Sequence, residues 1–162
     1  MGLLGRLRVR PRRSSVRPLA IDQGLFVGSQ LDKRGVEELT RAGFRSIVNL
    51  AHEGEPGQLL SPNIEASWAH TFGLDHARLS VGPLPRREQF ERLCQLLHEL
   101  PWPTYLHSTG GERALALGIA CIARRKGWNG EQALREAESR PIALRSDSLK
   151  HFLLETLDPS SS

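Results

Sequence analysis

One stretch of this 162-residue chain decides its fold: Thr104-Tyr105-Leu106-His107-Ser108-Thr109-Gly110-Gly111-Glu112-Arg113. Its first part is a short apolar run behind two prolines, which predicts a buried strand that breaks at a small, glycine-bearing loop. The ten residues that follow, 114–123, are rich in alanine and large apolar side chains and predict a buried helix. The stretch therefore predicts a strand, a short loop and a helix, in that order.

A loop between a strand and the start of a helix favours the binding of an anion. The first backbone N–H groups of a helix have no partner within the helix, its dipole leaves that end partly positive, and glycines let the backbone approach a phosphate closely. Arg113 stands where its guanidinium can fold back and grip two phosphate oxygens. The same residues also fit an ordinary turn with a solvated Arg113, so the loop alone leaves both interpretations open.

The loop resembles the signature His-Cys-x-x-Gly-x-Arg of cysteine-dependent tyrosine and dual-specificity phosphatases, through His107, Ser108, Gly110 and Arg113. Four residues separate Ser108 from Arg113, where the common form of the signature has five. This spacing is similar to that of bacterial beta-lactamase-hydrolase-like phosphatase domains, and rhodanese loops share it. Ser108 stands at the position of the family's cysteine.

The resemblance extends beyond the loop and covers about residues 18–157. Residues 21–30 are similar to the family's opening strand, and residues 39–50 to the end of its first helix and its second strand. The resemblance implies that Ser108 and Arg113 occupy the catalytic positions of the nucleophile and of the phosphate-binding arginine. It also implies a phosphate-binding segment, here called the anion loop, made of Ser108, Thr109, Gly110, Gly111, Glu112 and Arg113.

Three departures from the family concern its mechanism. A serine hydroxyl cannot ionise near neutral pH as a cysteine thiol can, and it needs an adjacent base; His107 is expected to point to the opposite face of its strand. Ala114 replaces the usual serine or threonine after the arginine. Residues 82–87, where a general acid is expected, contain no carboxylate, and Asp75 precedes the third strand and lies at the wrong end of the sheet.

These departures favour a phosphatase-like domain that binds phosphate or a phosphorylated partner without cysteine chemistry, a pseudophosphatase. The alternative is an active phosphoric-ester hydrolase that uses Ser108 or an activated water, with His107, His52 or a loop glutamate as base. A rhodanese-like sulfur carrier is a third hypothesis, disfavoured because sulfur transfer requires a thiol. Whether the chain is an enzyme stays open at this point.

The order of elements predicts a three-layer α/β domain with a mainly parallel, four-stranded sheet and helices on both faces. The loop 51–60 follows the second strand, and loops at the carboxyl ends of parallel strands surround the same crevice. Its His52, Glu53 and Glu55 are therefore expected near the anion loop. Their close spacing on an irregular loop favours solvated side chains over a metal site, and the sequence predicts no metal and no cofactor.

Composition predicts a soluble globular domain, with 39% apolar and 25% charged residues. Residues 1–17 contain six arginines and no acid, whereas the rest of the chain has a formal charge of −2. We therefore expect a basic disordered tail at residues 1–17, with 1–20 counted as disordered, a domain at residues 18–157 and a frayed end at 158–162. The tail is typical of an arm for an anionic surface or nucleic acid, and also of an organellar transit peptide.

Two further expectations concern location. No apolar segment reaches the roughly 20 residues that a bilayer-spanning helix requires. Cys94 and Cys121 lie in apolar helical patterns, which favours two free, buried cysteines in a reducing compartment. The sequence therefore predicts a cytoplasmic protein without a transmembrane segment.

Overall fold

A computed structural model describes residues 16–158 of the chain. Within them the chain forms five strands and six helices. In chain order these are β1 (Leu19–Asp22), β2 (Leu25–Gly28), α1 (Lys33–Arg41), β3 (Ser46–Asn49), α2 (Pro62–Thr71), β4 (Asp75–Arg78), α3 (Arg87–Glu99), β5 (Thr104–His107), α4 (Glu112–Lys126), α5 (Gly130–Glu138) and α6 (Asp147–Thr156).

The sheet has the order β1-β2-β5-β3-β4, with β5 at its centre. Strands β2, β5, β3 and β4 run parallel, and β1 pairs with β2 in the antiparallel direction. The three-layer, mainly parallel α/β architecture is therefore confirmed, but the expected count of four strands is wrong. The missed strand is β1, which begins within residues 1–20, the range that the sequence predicts to be disordered. It is only four residues long and is fixed by its pairing with β2.

Two hydrophobic cores lie on opposite faces of the sheet. On one face the buried Val27, Val48 and Leu106 pack with the apolar sides of α3, α4, α5 and α6. On the other face Ile47 and Tyr105 pack with α1 and α2. The alternation of side chains along each strand produces this division. Helix α4, which follows the anion loop, is buried along most of its length.

Short polar side chains begin four of the helices. Asp32, Ser61, Asn129 and Ser146 each accept a hydrogen bond from a backbone N–H in the first turn of the helix that follows. Pro62 occupies the first position of α2, where its missing N–H costs no hydrogen bond.

A disulfide joins Cys94 of α3 to Cys121 of α4, with their Cα atoms 5.5 Å apart. The expectation of two free cysteines is therefore wrong, and the prediction of a cytoplasmic protein loses this support. The two residues are 27 positions apart and lie in different helices. Their pairing depends on how α3 packs against α4, which the helical pattern of either segment does not reveal.

The remaining predictions concern the ends of the chain. Residues 1–15 and 159–162 lie outside the described residues, and with them most of the expected tail and most of the expected frayed end. Val16 packs against the core formed by α1 and α2. Across residues 16–158, none of the helices combines the length and the apolar character needed to cross a bilayer.

Candidate anion-binding site

The anion loop lies at the carboxyl end of the central strand of the sheet. Strand β5 ends at His107 and helix α4 begins at Glu112. Gln30 donates its backbone N–H to the carbonyl of Thr109 over 3.4 Å, which ties the loop to the chain just after β2. The strand, the loop and the helix follow in the order that the sequence predicts.

Gly111 gives the loop its tight turn. Its φ is +86°, in the left-handed region that side chains other than glycine rarely adopt. A Cβ atom built at Gly111 would lie 3.1 Å from the carbonyl carbon of Gly28. Gly110 differs, because a Cβ there would meet no atom within 4 Å. The conformation of the loop therefore depends on one of its two glycines.

Five successive backbone N–H groups of the loop are available to an anion. None of the N–H groups of residues 109–113 donates a hydrogen bond to another residue within 16–158. The first N–H groups of α4 belong to this set, and the helix dipole adds a partial positive charge there. Such a series of unpaired donors at a helix start is a ready-made site for a phosphate or sulfate.

Arg113 is held in place by protein contacts that leave one edge of its guanidinium free. Its Nη1 donates to Glu55 Oε1 over 2.7 Å and to the carbonyl of Val81 over 2.5 Å. Its Nη2 donates to Glu55 Oε2 over 2.6 Å. The Nε–H and the second Nη2–H, which form one edge of the planar group, donate to no residue in the described part of the chain. Two parallel donors on one edge match the spacing of two phosphate oxygens.

Glu55 forms the second half of this arrangement. Besides Arg113 it accepts hydrogen bonds from Thr109 Oγ1 over 2.5 Å and from the backbone N–H of His52 over 2.9 Å. Burial raises the pKa of Glu55, but the hydrogen bonds from Arg113 and Thr109 outweigh burial and lower this pKa to about 2. Glu55 therefore remains a carboxylate at neutral pH. The loop 51–60 lies beside the anion loop as predicted, whereas the prediction of a solvated Glu55 is wrong.

Ser108 is 1% exposed and lies at the base of the anion loop. Its Oγ accepts the backbone N–H of Ala114 over 3.3 Å, and its own N–H donates to the carbonyl of Gly28 over 3.4 Å. Within residues 16–158, no histidine or carboxylate side chain forms a hydrogen bond to this hydroxyl. Ser108 is therefore buried beneath the loop, without a side chain beside it that could act as a general base.

His107 contacts a buried charge cluster instead of Ser108. Its Nε2 lies 2.5 Å from Glu65 Oε1, although the angle at this contact is poor for a hydrogen bond. His76 Nε2 lies 3.1 Å from Glu65 Oε2, and Asn49 donates to that same oxygen. Burial raises the pKa of Glu65, but the contacts of His107 and His76 outweigh burial and lower it to about 2.

Sequence reasoning missed this cluster. Glu65 is in the first turn of α2 and reads as a favourable acidic residue at a helix start. It is nevertheless 1% exposed, because α2 packs against the sheet beside β3 and β4. The available signal was the pair His76 and His107, since two histidines inside predicted strands require polar partners when buried.

The side chain of Glu112 binds residues outside the anion loop. Its Oε1 accepts the backbone N–H groups of Arg145 and Ser146 over 2.5 and 2.6 Å, just before α6. Of the six residues predicted to bind phosphate, Glu112 therefore offers its backbone N–H, while its carboxylate holds the start of another helix. Thr109 likewise uses its hydroxyl on Glu55 and offers its N–H to the loop.

A cleft of about 520 Å³ opens above the loop. Its lining comes from the loop 51–60, the segment after β4, the anion loop and the start of α6: His52, Glu53, Gly54, Glu55, Pro56, Pro83, Ser108, Gly110, Glu112, Arg113, Ser146 and Leu149. No aspartate lines it, and Asp75 is at the amino end of β4, opposite the cleft, as expected. His52 is the half-exposed histidine of the cleft, with Nδ1 2.7 Å from Ser80 Oγ and Nε2 3.5 Å from Glu55 Oε1.

Comparison with known proteins identifies the family of this chain. A curated relative, the beta-lactamase hydrolase-like protein of Agrobacterium fabrum, is 30% identical over 106 residues, which is 64% of this chain and 24% of that protein. The chain thus spans about a quarter of the length of that relative.

Solved structures share the fold. A structure from Neisseria meningitidis superimposes with a TM-score of 0.72 at 19% identity, over 85% of this chain and 96% of the other. The core catalytic domain of the PP-IP phosphatase SIW14 from S. cerevisiae, in complex with citrate, superimposes with a TM-score of 0.69 at 15% identity, over 87% of this chain and 85% of the other. The sequence profile of the family described as PTP-NADK, DSP-PTPase phosphatase fused to NAD+ kinase, matches residues 12–148. With that match over most of its length, and with the anion loop at the end of the central strand, this chain belongs to the PTP-NADK family of dual-specificity-type phosphatase domains.

Proposed function

We propose that this chain binds a phosphate group, free or on a phosphorylated ligand, and that it acts as a pseudophosphatase without cysteine-type chemistry. One observation carries the proposal. Within the described residues, five loop N–H groups and one edge of Arg113 donate no hydrogen bond and can therefore bind an anion, while Ser108 has no general base beside it. The site therefore keeps the elements that bind and orient a phosphate and lacks those that would break its ester bond.

The contacts of Glu55 support binding. A carboxylate that competes with phosphate would cover the donors that the phosphate needs. Glu55 instead takes the Nη1–Nη2 end of Arg113 and leaves the Nε–Nη2 edge open. It acts as a positioning residue, because it fixes the guanidinium before any ligand arrives and so reduces the ordering cost of binding.

The chemistry of Ser108 supports the absence of turnover. In the family mechanism a thiolate attacks phosphorus and an acid protonates the departing oxygen. A serine alkoxide is not accessible at neutral pH without a base. The segment 82–87 carries no carboxylate to act as the acid. Cys94 and Cys121, the thiols that a rhodanese-like function would need, are joined to each other in a different cleft.

Thermal unfolding in phosphate tests the proposal. A ligand present at 100 times its Kd stabilises the folded state by about 2.7 kcal/mol, which for a domain of this size raises Tm by roughly 5 to 10 °C. We expect this rise in the natural chain and its loss in Arg113→Ala. The matched control is Arg92→Ala, which removes an exposed arginine of α3 and should keep the rise. Equal rises in the natural chain and Arg113→Ala would overturn the proposal.

A second candidate is an active phosphoric-ester hydrolase, and His52 is the observation that favours it. Its imidazole lines the same cleft as Ser108 and lies near the Glu55 carboxylate. In such an enzyme His52 would activate a water or move a proton to the leaving group. Hydrolysis that His52→Gln abolishes, while phosphate binding persists, would favour this candidate over a pseudophosphatase.

A further inference from the structure

The cleft above the anion loop has an unusual balance of charge. Its lining contains one guanidinium, that of Arg113, and three carboxylates, those of Glu53, Glu55 and Glu112. Arg145 precedes the lining residue Ser146, but its exposed side chain is not part of the lining. Among the described residues that line the cleft, the donors for a phosphate are therefore backbone N–H groups, the guanidinium of Arg113 and the imidazole of His52.

The three carboxylates differ in their partners. Glu55 is paired with Arg113, so these two charges compensate each other. Glu112 is bound to two backbone N–H groups before α6. Glu53 is exposed and forms no hydrogen bond or ion pair with another residue of the described chain. Glu53 is thus the carboxylate of the lining whose charge is left for a ligand.

The remaining lining limits the size and character of the ligand. Pro56, Pro83 and Leu149 give the cleft apolar walls, and its volume of about 520 Å³ suits a small organic molecule. A second negative group on the ligand would meet the unpaired carboxylate of Glu53. A positive group beside the phosphate would instead be attracted to Glu53, because opposite charges a few ångströms apart favour each other at a protein surface.

From this balance we propose that the cleft selects a zwitterionic phosphate monoester, in which an ammonium lies a few atoms from a single phosphate, with Glu53 as the specificity-determining residue. The inference rests on the proposed function, since the phosphate of the ligand occupies the anion loop and the free edge of Arg113. Ligands with a second phosphate or carboxylate next to the first are disfavoured.

Three ligands of similar size test the charge preference: O-phosphoethanolamine, ethyl phosphate and phosphoglycolate carry a positive, neutral and negative group beside the phosphate. Isothermal titration gives the Kd of each for the full-length natural chain and for Arg113→Ala, which measures any binding outside the anion loop. We expect affinity to fall about threefold at each step from the ammonium to the carboxylate. Glu53→Gln should remove the differences in affinity among the three ligands, and Glu53→Lys should reverse their order.

Glu99→Lys is the matched control, because it makes the same charge change at the carboxyl end of α3, and no residue of α3 lines the cleft. It should leave the series unchanged. Two results would overturn the inference and leave the proposed function standing. One is Arg113-dependent binding in which the affinity for phosphoglycolate equals or exceeds that for O-phosphoethanolamine. The other is an order of affinities that the Glu53 variants do not alter. Loss of all Arg113-dependent binding would overturn both.

Discussion

The buried charge cluster around Glu65 makes the stability of the domain depend on pH. Glu65 is 1% exposed, and its pKa is about 2 instead of the ordinary 4.5. A pKa lowered by this amount corresponds to roughly 3 kcal/mol of stability contributed by the ionised side chain. Glu65→Gln keeps the size of the side chain and removes its charge. We therefore expect this variant to lose about 3 kcal/mol of unfolding free energy at pH 7.

The sign of the pH dependence follows from the lowered pKa. The contribution of Glu65 is fully present above pH 4.5, and it is lost as pH falls through about 2. Urea unfolding between pH 7 and pH 2 should show the natural chain and Glu65→Gln about 3 kcal/mol apart at pH 7 and converging near pH 2. The control is Glu138→Gln, which removes an exposed carboxylate 3.6 Å from Lys150 and should cost less than about 1 kcal/mol.

Two results would refute this reasoning. One is a free energy of unfolding of Glu65→Gln within about 1 kcal/mol of that of the natural chain at pH 7, which would mean that the charge of Glu65 does not stabilise the domain. The other is a constant difference between the two proteins from pH 7 to pH 2, which would assign the cost to altered packing instead of ionisation.

Further predictions concern the loop, the disulfide and the tail. Gly111→Ala should lower the unfolding free energy by about 1 to 3 kcal/mol and weaken phosphate binding, whereas Gly110→Ala should stay within about 0.5 kcal/mol by urea unfolding. Reduction of the Cys94–Cys121 disulfide, whose cysteines are 27 positions apart, should cost roughly 3 to 4 kcal/mol in a chain-entropy estimate, and a Cys121→Ser variant should be insensitive to reductant. Deletion of residues 1–15 should abolish salt-sensitive binding to anionic vesicles and leave phosphate-dependent Tm shifts unchanged; a large loss of stability would show instead that the tail docks on the domain.

Local sequence signals predicted the part of the fold that local physics determines. The succession of strand, loop and helix around Ser108 depends on backbone donors and neighbouring residues along the chain. The placement of the loop 51–60 beside the anion loop also followed from the sequence, because parallel strands bring their carboxyl ends to one edge. These features required no knowledge of contacts between distant residues.

The features that sequence reasoning missed all depend on such contacts. Glu55 is 58 positions from Arg113, and nothing in its surroundings along the chain distinguishes it from the exposed Glu53. Glu65 is buried because of where α2 lies on the sheet. The short strand β1 and the disulfide are likewise set by the packing of whole elements. The residue types in a loop indicate which functional groups a site can have. Which residues pair with each other depends on how the strands and helices pack together.

The most direct test of the central claim is kcat/KM for hydrolysis of an aryl phosphate such as p-nitrophenyl phosphate by the natural chain and by Ser108→Ala. The account predicts no turnover in the natural chain above that of Ser108→Ala, because no histidine or carboxylate within residues 16–158 forms a hydrogen bond with the Ser108 hydroxyl, and residues 82–87, where the family has its general acid, carry no carboxylate. Hydrolysis by the natural chain that disappears in Ser108→Ala would contradict the account and establish a serine-dependent phosphatase.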